Sequence, residues 1–152
     1  MSAHNVLPFP ACEAFPLLEQ PSAEPPRADF ARIEFLRGLL QESLLHSRRD
    51  LERACDVITT DKSRSVRAHA LALFATLSEH ASQRLTFYRA GTKQVSASEI
   101  WLLRLLDAYR DADTPQGRAL IAWRVRPLGH RRVRFLVGGL ASALLEMDAR
   151  TS

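Results

Sequence analysis

The fold is decided by residues 96–106, which read SASEIWLLRLL. Ser96 and Glu99 have the spacing of a capping box, in which each side chain bonds the other residue's backbone N–H at a helix start. The run that follows, from Ile100 to Leu106, is apolar nearly all round. Because such a helix is buried on most sides, we predict a central helix that begins after Ser96 and ends near Asp111.

Two further helices are predicted after this stretch. Thr114 and Pro115 are the expected N-cap and first-turn pair of a fourth helix, which Pro127 and Gly129 end. A fifth helix is predicted from about His130 to Met147.

The fifth helix carries an apolar face and a glycine pair. Gly138 and Gly139 lie in its middle, where the absence of a side chain allows another helix to approach closely. The side chains predicted to face inward are Val133, Leu136, Val137, Leu140, Leu144 and Met147.

Two helices are predicted before the central one. The first has Asp29 as its N-cap and is either one helix to about Thr59, which we favour, or two helices broken near Ser47. The second begins at caps within residues 61–63 and ends at Gly91, a residue typical of a left-handed C-cap. With neither strand periodicity nor internal repeats, the sequence predicts an all-α fold, a single bundle of about five helices.

A proline-rich tail, residues 1–28, precedes the bundle domain of residues 29–150. Six of the eight prolines fall before Arg27, and no helix or sheet runs through such a density. The tail is therefore predicted to be extended and flexible. It either lies against its own domain or docks a partner through two apolar clusters. The predicted docking residues are Leu7, Phe9, Phe15, Leu17 and Leu18.

Length and composition indicate one globular domain in a reducing compartment. The 152 residues are 46% hydrophobic and 25% charged, the balance of a folded domain of ordinary size. Cys12 and Cys55 do not make a disulfide framework, and no secretory signal is visible. The most apolar stretch, Val133 to Leu145, contains Arg134 and falls short of the roughly 20 residues of a membrane helix. We therefore expect a cytoplasmic protein without a membrane span.

Catalytic and metal chemistry receive no support from the pattern. The five histidines lack metal-ligand spacing with one another, with either cysteine or with a nearby carboxylate. No glycine-rich phosphate loop follows a strand, and no nucleophile sits in a strand-to-helix turn. We predict no catalytic residue, no metal site and no cofactor. An enzyme with a pocket between helices is the less favoured interpretation.

Positive charge is concentrated towards the C-terminal end. The chain has a formal net charge of +4, but residues 1–29 carry −3 and residues 114–152 carry +5. One group of cations lies in a stretch of sequence that contains no Asp or Glu. We call this group the basic corner. All of its members except Arg118 are predicted to bind a partner or an anion. The basic corner consists of Arg118, Arg124, Arg126, His130, Arg131, Arg132 and Arg134.

The basic corner conflicts with the dipole of the predicted fifth helix. Each cation near a helix N-terminus is unfavourable by a few tenths to about 1 kcal/mol. Arginine forks beside free backbone N–H groups also make a ready anion site. Three sources of negative charge stay open: the chain's own Asp107, Asp111 and Asp113, a phosphate backbone, or an acidic protein surface.

The leading functional hypothesis is a non-enzymatic regulatory or adaptor protein. It binds a larger protein partner through the basic corner and the tail, and nothing in the pattern specifies an oligomeric state. The alternative is a DNA-binding transcriptional regulator that uses the fifth helix. Residues 121–140 fit a helix-turn-helix frame with Gly129 in the turn only poorly, because Pro127 would lie inside the first helix.

Overall fold

The computed structural model describes residues 27–45 and 62–151. Within these ranges the chain forms five helices, Ala81 and Val125 form an isolated antiparallel β-bridge, and the predicted all-α bundle is confirmed. Residues 1–26 of the predicted tail, and the predicted course of the first helix from residue 46 to Thr59, lie outside the described residues, whereas Arg27 and Ala28 belong to the first helix and not to the tail. The helices are α1 (Arg27–Leu45), α2 (Lys62–His80), α3 (Ala97–Arg110), α4 (Thr114–Arg124) and α5 (Pro127–Thr151).

The core lies between α2, α3 and α5. Helices α2 and α5 share the most extensive helix–helix contact, and they approach closely at Gly139. A Cβ added there would lie 2.3 Å from Nε2 of His69, so the close approach predicted for the glycine pair is confirmed at this residue. The fully buried side chains of these three helices include Leu73, Leu77, Leu102, Leu105, Leu106, Val137 and Leu140.

Helix α3 has the capped start and the central place that the sequence predicts. The Ser96 hydroxyl accepts from the Glu99 N–H at 3.1 Å, and the Ser96 N–H donates to Oε2 of Glu99 at 2.9 Å. Trp101 is buried, and its indole N–H donates to the Leu120 carbonyl of α4 at 3.0 Å. Helix α3 contacts α1, α4 and α5, so its apolar residues are covered on most sides.

Helix α2 ends at His80, and its predicted extension to Gly91 is wrong. Residues 81–96 contain no regular helix. Leu85 and Phe87 are both buried, and burial of alternate residues is the pattern of an extended chain. Gly91 does adopt a positive φ of 87°, but it lies in a turn rather than at a helix end.

The side chains at the start of α3 explain why the chain leaves the helix. The Thr86 N–H donates to Oγ of Ser98 at 2.9 Å. The Tyr88 N–H donates to Oε1 of Glu99, also at 2.9 Å. These bonds satisfy backbone donors that would otherwise need helical partners. We call residues 81–96 the α2–α3 connection.

Three predicted helix boundaries are corrected. The N-cap of α4 is Asp113, whose carboxylate accepts from the Gln116 N–H at 3.2 Å, whereas Thr114 is the first helical residue. Pro127 opens α5 rather than closing α4, because the fixed φ of proline suits a first helical position. Asp29 lies in the first turn of α1 and not at its N-cap.

A buried ion pair fastens α1 to α3 and to the α2–α3 connection. Arg37 is 1% exposed and Glu99 3%. Their bond is bidentate, with Nε donating to Oε1 at 2.8 Å and Nη2 donating to Oε2 at 2.9 Å. The remaining Arg37 N–H groups donate to Glu34 and to the carbonyls of Thr92 and Gln94. All five guanidinium donors therefore have acceptors.

We expect Arg37→Met to lower the free energy of unfolding by about 3–5 kcal/mol, because it leaves Glu99 buried without its counter-charge. Burial by itself lowers the pKa of Arg37, but Glu99 and Glu34 outweigh it and raise the pKa overall. The matched control is Arg32→Met, which removes a half-exposed ion pair with Asp107 worth about 1 kcal/mol or less. Urea unfolding followed by circular dichroism measures both.

Two further variants separate this interaction from simple loss of packing. Arg37→Lys keeps the charge but loses the bidentate geometry, so it should fall between wild type and Arg37→Met. The double variant Arg37→Met/Glu99→Gln should cost less than the sum of its single changes. Equal losses for Arg37→Met and Arg32→Met would contradict the structural role given to the pair.

Candidate functional site

The start of α5 is held against the end of α2. The Arg126 N–H donates to the His80 carbonyl at 2.8 Å, and the Ser82 N–H donates to the Arg124 carbonyl at 2.9 Å. Gly129 lies in the first turn of α5, where an added Cβ would come within 2.6 Å of Cβ of His80. The position of the α5 N-terminus, and with it the basic corner, is therefore fixed by backbone contacts.

The helix-turn-helix placement of Gly129 is wrong. Helix α4 ends at Arg124 and α5 begins at Pro127, so only two residues, Val125 and Arg126, connect them. Gly129 is helical and does not lie in the turn. Its small size serves the close packing against His80 instead.

Arg124 is buried and does not reach the surface that the sequence predicts for it. The residue is 5% exposed, and its Nη1 donates to Oγ of Ser98 at 3.1 Å. Its guanidinium carbon lies 4.6 Å from the ring centroid of Trp123 and 5.9 Å from that of Trp101. Both distances are within the range of cation–π attraction, so Arg124 joins α4 to α3.

His130 and Arg134 are four residues apart and therefore share one side of α5. That side lies beside α4. Together with Arg118 of α4 they line a cavity of about 360 Å³, whose other lining residues are Ile121 and Ala122. We call it the α4–α5 cavity. Nε2 of His130 donates to the Val125 carbonyl at 2.6 Å, a bond that fixes the orientation of the imidazole ring.

Tyr109 brings a polar group close to the same arginines. Its hydroxyl oxygen is enclosed and has no hydrogen-bond partner among the described residues, a situation that costs about 1–3 kcal/mol. Burial raises the pKa of the Tyr109 phenol, while the charges of Arg134 and Arg118 act to lower it. An added Cβ on Gly117 would lie 2.7 Å from Cε2 of Tyr109, so α4 leaves room for this ring.

A different side of α5 is exposed to solvent. Leu128 is 89% exposed and Phe135 66%, and the two lie seven residues, or about two turns, apart. Arg131 and Arg132 lie between them in the sequence and are exposed as well. We call Leu128, Arg131, Arg132 and Phe135 the outer face of α5.

The structure thus divides the predicted binding residues among different environments. Arg124 is inside the bundle, His130 and Arg134 line the α4–α5 cavity, and Arg131 and Arg132 belong to the outer face. Arg126 is exposed just before α5 begins. The predicted tail residues lie outside the described residues: Leu7, Phe9, Phe15, Leu17 and Leu18.

The acids that were candidates for neutralising the basic corner make contacts elsewhere. Asp107 pairs with Arg32 at 2.7 Å and with Arg110 at 3.2 Å. Asp111 pairs with Arg110 at 3.0 Å, and that hydrogen bond lowers the pKa of the Asp111 carboxyl. The third acid, Asp113, caps α4. The contacts shown for these three acids are therefore made with residues outside the basic corner.

Sequence reasoning missed Leu128, Phe135 and Tyr109 as candidate functional residues. The sequence contains a signal for Leu128 and Phe135, since helical spacing places both on the side of α5 away from the buried Val133 and Leu140. No local signal marks Tyr109, because its surroundings come from α4 and α5.

The part of the chain that the structure describes contains neither a metal-ligand cluster nor a membrane-spanning helix. No three of its His, Cys, Asp and Glu side chains are grouped so that they could hold a metal ion. None of its helices combines the length and the apolar character needed to cross a membrane. In comparisons with known proteins, no family model, no curated protein and no solved structure matches the chain.

The contact at Gly129 predicts a difference between two glycine substitutions. Gly129→Ala should lower the free energy of unfolding by about 1–3 kcal/mol, because the new methyl group overlaps His80. Gly38→Ala should raise it by about 0.5–1 kcal/mol, since no neighbouring atom lies within 4 Å of the new Cβ. Thermal unfolding of the two variants in parallel measures the difference. A Gly129→Ala protein as stable as wild type would mean that the start of α5 is not held in this way.

Proposed function

We propose that the protein is a non-enzymatic adaptor or regulator that binds an acidic, partly apolar segment of a protein partner on the outer face of α5. The observation that carries the proposal is the joint exposure of Leu128 and Phe135. Large apolar side chains grouped on one face and bordered by polar residues are typical of interaction sites. Arg131 lies between them, and aromatic residues and arginine are both enriched in protein interfaces.

Charge supports a partner that carries carboxylates. The sequence contains no Asp or Glu from Thr114 to Leu145. No acidic residue in the neighbouring turns of α5 therefore offsets the charge of Arg131. The N-terminal end of the α5 dipole adds positive potential at the same place. A segment with acidic side chains around an apolar pair would complement this surface in both respects.

The exposed apolar pair also favours a protein over duplex nucleic acid. Most contacts of DNA-binding surfaces go to phosphate and sugar, and they come from cationic and polar groups. Leu128 and Phe135 would gain little there, whereas the removal of apolar surface from water is the main favourable term in most protein–protein association. DNA binding is therefore the alternative that an experiment must distinguish from protein binding.

The tail keeps its two predicted roles. It joins the described structure at Arg27, close to an apolar groove of about 290 Å³ that includes Ala31, Phe35 and Leu145. If the tail lies against its own domain, deletion of residues 1–26 exposes this groove and increases binding of a hydrophobic dye. If the tail docks a partner, the deletion weakens partner binding instead.

Photo-crosslinking tests the proposal directly. We expect p-benzoylphenylalanine at position 135 to form an adduct with one acidic protein in the native cell, and the same group at position 104 to form none. The control position is suitable because Arg104 is exposed on α3. The crosslinked segment, made as a peptide, should bind the purified protein with an affinity that falls as salt rises.

Variants of the outer face decide between the outcomes. Leu128→Ser/Phe135→Ser and Arg131→Glu should each weaken peptide binding at least tenfold, as expected for central interface residues, whereas Arg104→Glu should not. Equal crosslinking from positions 135 and 104 would contradict the proposal. Nuclease-sensitive capture, together with duplex binding lost in Arg131→Glu and kept in Leu128→Ser/Phe135→Ser, would replace it with the DNA-binding alternative.

A further inference from the structure

We propose that the tail of this chain binds its own domain, with Phe15 and Leu17 inserted into the apolar groove between α1 and α5. We call this site the α1–α5 groove. Its proposed occupant lies outside the described residues and is chosen for its sequence and for its distance from α1. The groove borders the C-terminal half of α5, whereas the outer face lies near the start of that helix, so the inference does not depend on the proposed function.

The α1–α5 groove is formed because two helices that both pack on α3 stay apart from each other. Helix α1 packs against α2 and α3, and α5 packs against α2, α3 and α4, but α1 and α5 share no extensive contact within the described ranges. Leu106 of α3 lines the groove and is 2% exposed. Phe35 of α1 and Leu145 of α5 also line it, and they are 40% and 43% exposed. Large apolar side chains of both helices are thus left partly in water.

The character of the lining selects an apolar occupant. Apart from Arg32 and Arg110, all residues that line the groove are apolar. Both arginines pair with Asp107, at 2.7 Å and 3.2 Å, so a carboxylate of the chain already offsets their charge. Removal of apolar surface from water is then the main favourable term for binding here.

The size of the groove favours a short segment of the same chain. Its volume is about 290 Å³, which accommodates a few side chains, whereas a stable interface between two proteins buries about 800 Å² on each partner. So few contacts bind weakly when they join separate molecules. A segment that is covalently attached nearby is held at an effective concentration in the millimolar range, and the same contacts are then sufficient.

The tail is long enough to reach the groove from the start of α1. Phe35 lies eight residues after Arg27, about 12 Å along the helix. Leu17 lies ten residues before Arg27, and an extended chain of that length spans up to about 33 Å. Pro21 and Ser22 are turn-forming residues between the two. The tail can therefore turn back along α1 and place Leu17 beside Phe35.

Residues 15–18, Phe-Pro-Leu-Leu, suit the groove better than the earlier apolar cluster around Phe9. In an extended segment, residues two apart project to the same side, so Phe15 and Leu17 would enter together. Pro16 between them fixes one backbone angle, which reduces the entropy lost on binding. Phe9 lies eighteen residues before the start of α1, and the entropic cost of closing a loop grows with its length.

The cysteine at position 12 allows a direct test in the 152-residue chain. In a Cys55→Ser background, Cys12 is the single cysteine and carries a nitroxide spin label three residues from Phe15. The amide NMR signals of groove residues such as Leu145 should lose at least half of their intensity. The amide of Leu128 should keep its intensity, because it lies 17 residues before Leu145, about 25 Å along α5.

Variants of the tail identify the segment that binds. Phe15→Ser/Leu17→Ser should restore the lost intensity at the groove amides, because it removes the two apolar side chains that enter. Leu7→Ser/Phe9→Ser is the matched control, with the same kind of change in the other apolar cluster, and should leave the loss of intensity as it is.

Variants of the groove locate the site on the domain. Phe35→Gln should reduce the loss of intensity at Leu145 at least twofold. The control is Trp123→Gln, which changes a residue of α4 that is 51% exposed and should have no such effect. As a second measurement with both cysteines retained, p-benzoylphenylalanine at position 15 should crosslink within the chain to α1 or α5.

Docking on a second copy is tested with a mixture of two proteins. One carries the spin label without isotope enrichment, and the other is ¹⁵N-enriched and has no spin label. The ¹⁵N-enriched protein should show no loss of intensity, since the tail binds its own domain. Loss of intensity in that protein would replace the inference with binding between copies. Undiminished signals at Leu145 in the singly labelled chain, or an unchanged loss in Phe15→Ser/Leu17→Ser, would overturn it.

Discussion

The bidentate pair of Arg37 and Glu99 is the interaction on which the rest of the molecule depends. The α2–α3 connection has no regular secondary structure, so its backbone groups need side-chain partners. Glu99 accepts the Tyr88 N–H, and Arg37 donates to the Thr92 and Gln94 carbonyls. A carboxylate and a guanidinium, each costly to bury alone, thus satisfy one another and a stretch of irregular chain. The same Glu99 caps α3, so one residue sets both the start of the central helix and the path that leads to it.

The consequences of this arrangement extend to the candidate sites. The α2–α3 connection begins with Ala81 and Ser82, which pair with the residues around Val125. That pairing fixes the short turn between α4 and α5 and places Gly129 against α2. The basic residues are then sorted by helical geometry alone, since each successive residue is rotated by about 100°. Side chains that are adjacent in the sequence therefore face the interior, the α4–α5 cavity or the solvent.

The sequence predicts most of the helical core but not the irregular segments. The capping box at Ser96 and the apolar run after it are local signals, and α3 follows them closely. Leu85 and Tyr88 continue the helical spacing of α2, yet the chain there is extended, because its hydrogen-bond partners lie in α3 and α1. Ala112 shows the same limit, since it adopts a φ of 57° at the end of α3, a conformation that favours glycine. For the site, the sequence identifies the cations, whereas the burial of Arg124 and the position of Tyr109 depend on contacts between helices.

The proposed binding surface on the outer face has a physical origin in the start of α5. Cations gathered at a helix N-terminus are disfavoured by the dipole, and within this chain the nearby acids Asp107 and Asp111 pair with other arginines. Aromatic contacts and the Ser98 hydroxyl stabilise the buried Arg124, whereas Arg131 is exposed and Arg134 lines the α4–α5 cavity. A sequence that keeps an unfavourable local arrangement commonly does so at a functional site. Negative charge from outside the chain would relieve this repulsion, as a carboxylate-bearing segment on the outer face. Such a segment would thereby also stabilise the fold, because it binds only where the α4–α5 turn is formed.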